Sequence, residues 1–377
     1  MPQSGPPEFL QRSIRRASPG GFVAVAATGA LSLAANGAGA AALSELFAAI
    51  ATLMYVVLFL RLAMRAVAFG RVLAAELSGP SGLFGAFAFV IADGVLAVQA
   101  LTAGDPAHAL VFVALGASVW LVLMTIALRR PRRLGGPAGW LAAAVATEAL
   151  AVMASLIGAA GAVPLDAGLD IAIALWLGGL GLVVAGLASA WFARRTPAPG
   201  LAPSLAPALA ITATNLSVAA ALGWATGGAP WVQAYQARVA SYALVVGALG
   251  GAGLAALAIV WLRRAWLALG RWHAGESGVG RSGVGDSGLG DSGTVDSGTS
   301  GAPQVWAAVF AFAMFGVAVA DLAELTTLAG GSSLSRLTHV WVWIPLALWC
   351  GAVGYQVIAR FSRRSARDPA PPLFSRT

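Results

Sequence analysis

The sequence predicts an all-α integral membrane protein with ten transmembrane helices, and three observations carry that expectation. First, 59% of the residues are hydrophobic and 10% are charged, with a mean hydropathy of +0.81, whereas a soluble domain carries about 25% charge. Only lipid solvates that much apolar surface. Second, the apolar residues fall in runs that match the roughly 30 Å hydrocarbon layer, which takes about 20 residues at about 1.5 Å each. Third, arginines occupy alternate connections between the runs, as the positive-inside rule requires.

The first run, 20–37, follows Arg12, Arg15 and Arg16 and ends in small residues, as a secretory signal does. Its length and the nine similar runs behind it make it a first span instead. The second run, 41–60, is followed by Arg61, Arg65 and Arg71. The third and fourth, 82–102 and 107–128, close on Arg129, Arg130, Arg132 and Arg133. The fifth and sixth, 138–160 and 168–192, close on Arg194 and Arg195. The seventh and eighth, 206–226 and 239–262, close on Arg263, Arg264, Arg271 and Arg281. The ninth and tenth, 303–323 and 338–359, are followed by five more arginines from Arg360 onward.

This places 21 arginines on one side and only Arg238 and Arg336 on the other. The basic side is cytoplasmic, so both termini are expected there and the ten spans are expected to form five hairpins with short outer loops. The chain then divides into a cytoplasmic segment (1–19), eight spans (20–262), a cytoplasmic loop (263–302), two spans (303–359) and a cytoplasmic tail (360–377), in the inner, plasma membrane. Residues 277–301 read SGVGR SGVGD SGLGD SGTVD SGTSG, a five-residue period with too little apolar content to pack, as in flexible Gly/Ser linkers. Its aspartates do not follow the nonapeptide pattern of calcium-binding repeats.

Polar groups within spans should face protein or water, because a charge at the bilayer centre costs about 2.5–3.5 kcal/mol. The first span puts Thr28, Ser32 and Asn36 on one helical face; the third carries Asp93; the fifth carries Thr147, Glu148 and Ser155; the seventh carries Thr212, Thr214, Asn215 and Ser217. Even-numbered spans are more uniformly apolar at mid-depth. The expected architecture therefore has odd helices inside and even helices outside. The plainer reading of each hydroxyl or amide is a bond to its own helix or to a neighbour. Asp93 and Glu148 can be proton-exchanging groups or structural hydrogen-bonding groups. Gly181 with Ala185 and Gly247 with Gly251 are small-xxx-small pairs, suited to close packing within or between subunits.

Four segments together resemble the tellurite-resistance/dicarboxylate transporter family, which includes bacterial tellurite-resistance proteins, fungal malate and sulfite transporters and plant slow-type anion channels. They are SPGGFVAVAATGALSLAA, AAELSGPSGLFGAFAFVIADGVLAV, GWLAAAVATEALAV and VWAAVFAFAMFGVAVADL. The last resembles a stretch in which a Trp precedes, by four residues, a Phe that plugs the pore; here these are Trp306 and Phe310. Ala311 stands where the family usually has Pro or Gly, and LAITATNLS departs from its seventh-helix pattern. The resemblance implies five hairpins in quasi-fivefold order, odd helices around a pore in each subunit, and assembly as a homotrimer. It also implies a gated anion channel, or a secondary carrier for C4-dicarboxylates, sulfite or tellurite-type oxyanions, with proton coupling as one form of the carrier. Phe310 is the expected gate and Phe312 the alternative. Asp321 lies eleven residues beyond Phe310, which leaves about 20° after three helical turns, so it is expected either at the outer pore mouth or among the lipid headgroups.

Other classes fit poorly. The formal charge of +8 is spread between apolar runs and forms no basic domain for nucleic acid. The single cysteine, Cys350, allows no intrachain disulfide and no thiolate metal site, and His108, His273 and His339 are scattered. The Gly-rich stretch lacks the strand, helix and Lys of a phosphate-binding loop. No enzyme activity and no cofactor or metal is expected; the partners expected are small anions, the lipid bilayer and further copies of the chain.

Overall fold

The computed structural model describes residues 18–77, 79–129, 137–193, 205–275, 302–328 and 334–365. Residues 1–17 of the expected cytoplasmic segment, the repeat at 277–301 and the expected tail beyond residue 365 lie outside the described residues, as do Arg130, Arg132, Arg133, Arg194 and Arg195. Helices are the regular structure throughout: α1 (Phe22–Gly37), α2 (Ala41–Leu77), α3 (Pro80–Thr102), α4 (Pro106–Arg129), α5 (Pro137–Ala159), α6 (Leu165–Ala193), α7 (Leu205–Thr226), α8 (Pro230–Gly275), α9 (Ala302–Leu328), α10 (Ser335–Trp341) and α11 (Trp343–Ser365). A short 3-10 turn, Pro19–Gly21, leads into α1, with the Ser18 hydroxyl accepting from the Gly20 N–H at 3.3 Å.

Four connections share one geometry. Gly39, Gly104, Gly161 and Gly228 have φ of 73°, 77°, 70° and 69° and follow α1, α3, α5 and α7. After each of them, the next N–H reaches back five residues, as from Ala40 to Ala35 O at 2.9 Å and from Asp105 to Ala100 O at 2.9 Å. These are Schellman endings, in which a left-handed glycine lets the last carbonyls be satisfied while the chain reverses. Asp105 then caps α4, accepting from the His108 N–H at 3.1 Å. That backbone bond, followed by the His108 ring, holds its carboxyl below the usual range.

The packing follows from where the chain reverses. α1 packs on α3, α3 on α5, α5 on α7, α7 on α9 and α9 back on α1. Of the most apolar stretches, 94% of α5 but 17% of α2 is buried, so the first set forms the core and α2, α4, α6, α8 and α11 the periphery. Leu53, Val67, Leu128, Val184, Leu249 and Ile259 are exposed on that periphery. Among the described residues nine helices are long and apolar enough to cross a membrane, and α7, at 22 residues, is a further long helix. The chain is a helical, multi-pass membrane protein.

Three boundaries differ from expectation. α2 continues past residue 60 to Leu77, kinked at Phe69 (φ −135°, ψ 36°). α8 runs on to Gly275, taking residues 263–275 from the expected loop, with a kink at Tyr235. The tenth span is two helices divided at Val342. In the last case Pro345 is the cause: its ring clashes with the carbonyl four residues back, at Trp341, and it has no N–H to offer.

Candidate functional site

The C-terminal halves of α1, α3, α5, α7 and α9 enclose a cavity of about 430 Å³. Each helix gives it one stripe at helical spacing: Val95 and Val98 from α3, Ala149, Val152 and Leu156 from α5, Leu216, Ala219 and Leu222 from α7, and Phe310, Met314 and Val317 from α9. Polar groups gather at one end, where Asn36, Thr102, Asp321 and Glu324 line the cavity, and among the described residues no basic side chain lines it. At the other end stands Phe310, 3% exposed. Its ring also lines a second pocket of about 20 Å³, formed by Val23, Ala26, Phe84, Ala88, Ala142, Leu209 and Ala307 from the N-terminal halves of the same helices. Phe310 and Ile91 are shared by both pockets, so they mark the constriction between them.

Of the expected pathway residues, Asn36, Phe310 and Asp321 are on the cavity wall. The others are not, and their contacts show why. The Thr28 hydroxyl donates to Ala24 O at 2.8 Å and accepts from Trp349 Nε1 of α11 at 2.9 Å. Ser32 donates to Ser44 O at 2.8 Å, at the start of α2. Asp93 accepts from the Tyr55 hydroxyl of α2 at 2.5 Å, and Thr147 accepts from Trp120 Nε1 of α4 at 2.9 Å. Glu148 fills the space over Gly179 of α6, where a Cβ would lie 2.4 Å from its Oε1, and Asn215 does the same over Gly250 of α8, at 2.4 Å from Oδ1. Thr212 is buried within α7 without lining the cavity. Phe312 stacks on Trp341 with ring centroids 6.4 Å apart.

Thus, away from the polar end of the cavity, Asp93, Thr147, Glu148 and Asn215 meet aromatic donors or glycines of the peripheral helices, and the inward stripes are apolar. Sequence reasoning missed those receivers: Tyr55, Trp120, Trp349, Gly179 and Gly250. A glycine at mid-depth of an otherwise bulky apolar helix was the available signal. Gly247 and Gly251 serve contact within the subunit, against Leu322 and Phe315 of α9, whereas Gly181 has open space beside it. Among the described residues no group of three His, Cys, Asp or Glu side chains could hold a metal ion. Fold and cavity define the class, a multi-pass helical membrane protein whose core helices surround a cavity. No protein-family model matches the chain, and no curated protein matches it.

Proposed function

We propose that the protein is a gated passive channel for small anions, of the tellurite-resistance/dicarboxylate transporter type, with Phe310 as its gate. The observation that carries this reading is that buried Phe310 lines both pockets, which the five packed core helices form between them. An apolar ring in a narrow passage excludes water and raises the dehydration cost of an ion, so its withdrawal opens the path. The sign of the ion follows from the narrow end. All five core helices direct their N-termini there, and each brings about half a positive charge, which favours anions approaching that mouth. In this reading the five helix pairs are hairpins in quasi-fivefold order, the subunits form a homotrimer in the plasma membrane, and both termini are cytoplasmic.

One observation favours a second reading, a secondary carrier for dicarboxylates, sulfite or tellurite-type oxyanions: the cavity is wide on one side of Phe310 and nearly closed on the other, the shape of an occluding binding site. Planar-bilayer recording of purified protein in chloride, nitrate and malate separates the two. A channel gives anion currents, and Phe310→Ala raises them on the order of tenfold, equivalent to removing about 1.4 kcal/mol of barrier. Unchanged conductance in that variant removes Phe310 from the gate. Absence of current alongside malate uptake into vesicles selects the carrier.

A further inference from the structure

The face of α9 opposite Phe310 is held from outside the core by α8, where Gly251 meets Phe315, and by one indole from α10. Taking Phe310 as zero, Phe315, Phe312 and Gly316 lie at about 140°, 200° and 240° around the helix, and Trp341 touches all three. Its Nε1 donates to Phe312 O at 3.0 Å. Its ring lies nearly parallel to Phe312, at 13°, and edge-on to Phe315, with centroids 4.7 Å apart. At Gly316 a Cβ would lie 3.0 Å from Trp341 Cδ1 and 3.1 Å from Ala34 of α1, so that glycine is the socket into which the indole and α1 both fit. These groups belong to a small apolar cluster with Ile211, Leu254, Leu257 and Ala311, separate from the main core. The break at Val342 leaves Trp341 at the end of its own short helix, α10.

The seam between α9 and α1 brings small residues into close approach, with Gly37 facing Ala320 and Ala34 facing Gly316, and none of these four side chains can hydrogen-bond across it. Rotation about the α9 axis that withdraws Phe310 from the constriction must break the Trp341 hydrogen bond and its ring contacts, and must shift Phe315 past Gly251 of α8; of these contacts only the hydrogen bond is directional.

We propose that Trp341 is the catch of the gate, a positioning residue that holds α9 in the rotation that puts Phe310 between the two pockets. This rests on Phe310 being the gate. The test uses a readout that serves a channel and a carrier alike. In a Cys350→Ser background, Ala142→Cys places a thiol in the small pocket beyond Phe310, and its modification by a small membrane-impermeant thiol reagent is timed from the side of the wide cavity in proteoliposomes. Phe310→Ala speeds modification on the order of tenfold. Trp341→Phe, which keeps a ring and removes the donor, speeds it roughly fivefold, the effect of losing one ordinary hydrogen bond. The double variant Phe310→Ala/Trp341→Phe is no faster than Phe310→Ala alone, because the catch acts only through the ring it positions. A Trp341→Phe rate equal to that of the parent, with Phe310→Ala fast, overturns the catch and leaves the gate standing. A Trp341 effect that persists in full on top of Phe310→Ala also overturns it. Phe310→Ala modified no faster than the parent overturns the gate, and the catch with it.

Discussion

At the residue scale, glycines decide where helices may approach, and the structure separates those that are needed from those that are not. A Cβ at Gly85 of α3 would lie 2.6 Å from the backbone N of Gly20, in the turn that leads into α1. Backbone cannot rotate away, so Gly85→Ala forces α3 and α1 apart. It is expected to destabilise by about 1–3 kcal/mol, the usual cost of overpacking. Gly181 of α6 has nothing within 4 Å of an added Cβ, so Gly181→Ala is expected to be neutral or to stabilise by up to about 1 kcal/mol through helix propensity. Thermal unfolding of both variants in detergent checks the pair; equal midpoints would refute the contrast. The same scale shows why the site was only partly legible. Thr28, Asp93, Thr147, Glu148 and Asn215 stand out in apolar runs, but a helix apolar on nearly every side gives no amphipathic stripe to say which face is inward. Their direction is set by Trp349, Tyr55, Trp120, Gly179 and Gly250, residues distant in sequence or indistinguishable there from lipid-facing ones. Phe310 is expected from the resemblance of the stretch Trp306 to Leu322, and it lines the cavity in a stripe with Met314, Val317 and Asp321 at helical spacing.

At the element scale, hydropathy marks where a helix meets water, which is not where the helix ends. α2 meets Arg61 and continues for sixteen further residues to Leu77, since Leu, Met, Ala and Arg favour helix whatever surrounds them. Its extension is fastened by an ion pair between Arg65, whose side chain is 5% exposed, and Glu76 at 2.5 Å. Glu76 also accepts from the Ser18 hydroxyl at 3.3 Å, tying the end of α2 to the turn that opens α1. Removal of a partner from a mostly buried arginine is costly, though Glu76 is 28% exposed and water screens part of the effect. Glu76→Ala is expected to destabilise by about 1–3 kcal/mol and to speed amide exchange over residues 70–77 more than in α5; uniform protection across the chain would contradict this. The division of the last span was present in the sequence as Pro345, whose ring forbids a continuous helix through Trp341, but the apolar count alone passed over it.

At the scale of the whole molecule, the positive-inside reading proposes an orientation and with it what each end of the cavity would meet. The core helices α1, α3, α5, α7 and α9 start at the same end, because each is followed by a reversal and a peripheral helix running back. The narrow apolar pocket lies toward that starting end and the wide cavity toward the Schellman turns at Gly39, Gly104, Gly161 and Gly228. Charge proposes which end is which: in the sequence, 21 of the 23 arginines belong to stretches that precede a core span or follow a peripheral one, and arginine-rich short connections favour the cytoplasm. The wide cavity, with Asp321 and Glu324 at its rim, would then open outward, and the constriction at Phe310 would guard the cytoplasmic side. Reporter fusions measure this directly. Alkaline phosphatase, active only outside the cytoplasm, is expected to be active when inserted at Gly161 and inactive at the C-terminus, and a fluorescent protein that folds in the cytoplasm is expected to give the reverse. An active phosphatase at the C-terminus would invert the molecule, put the constriction outermost, and place the five helix N-termini where they attract anions from outside rather than from the cytoplasm.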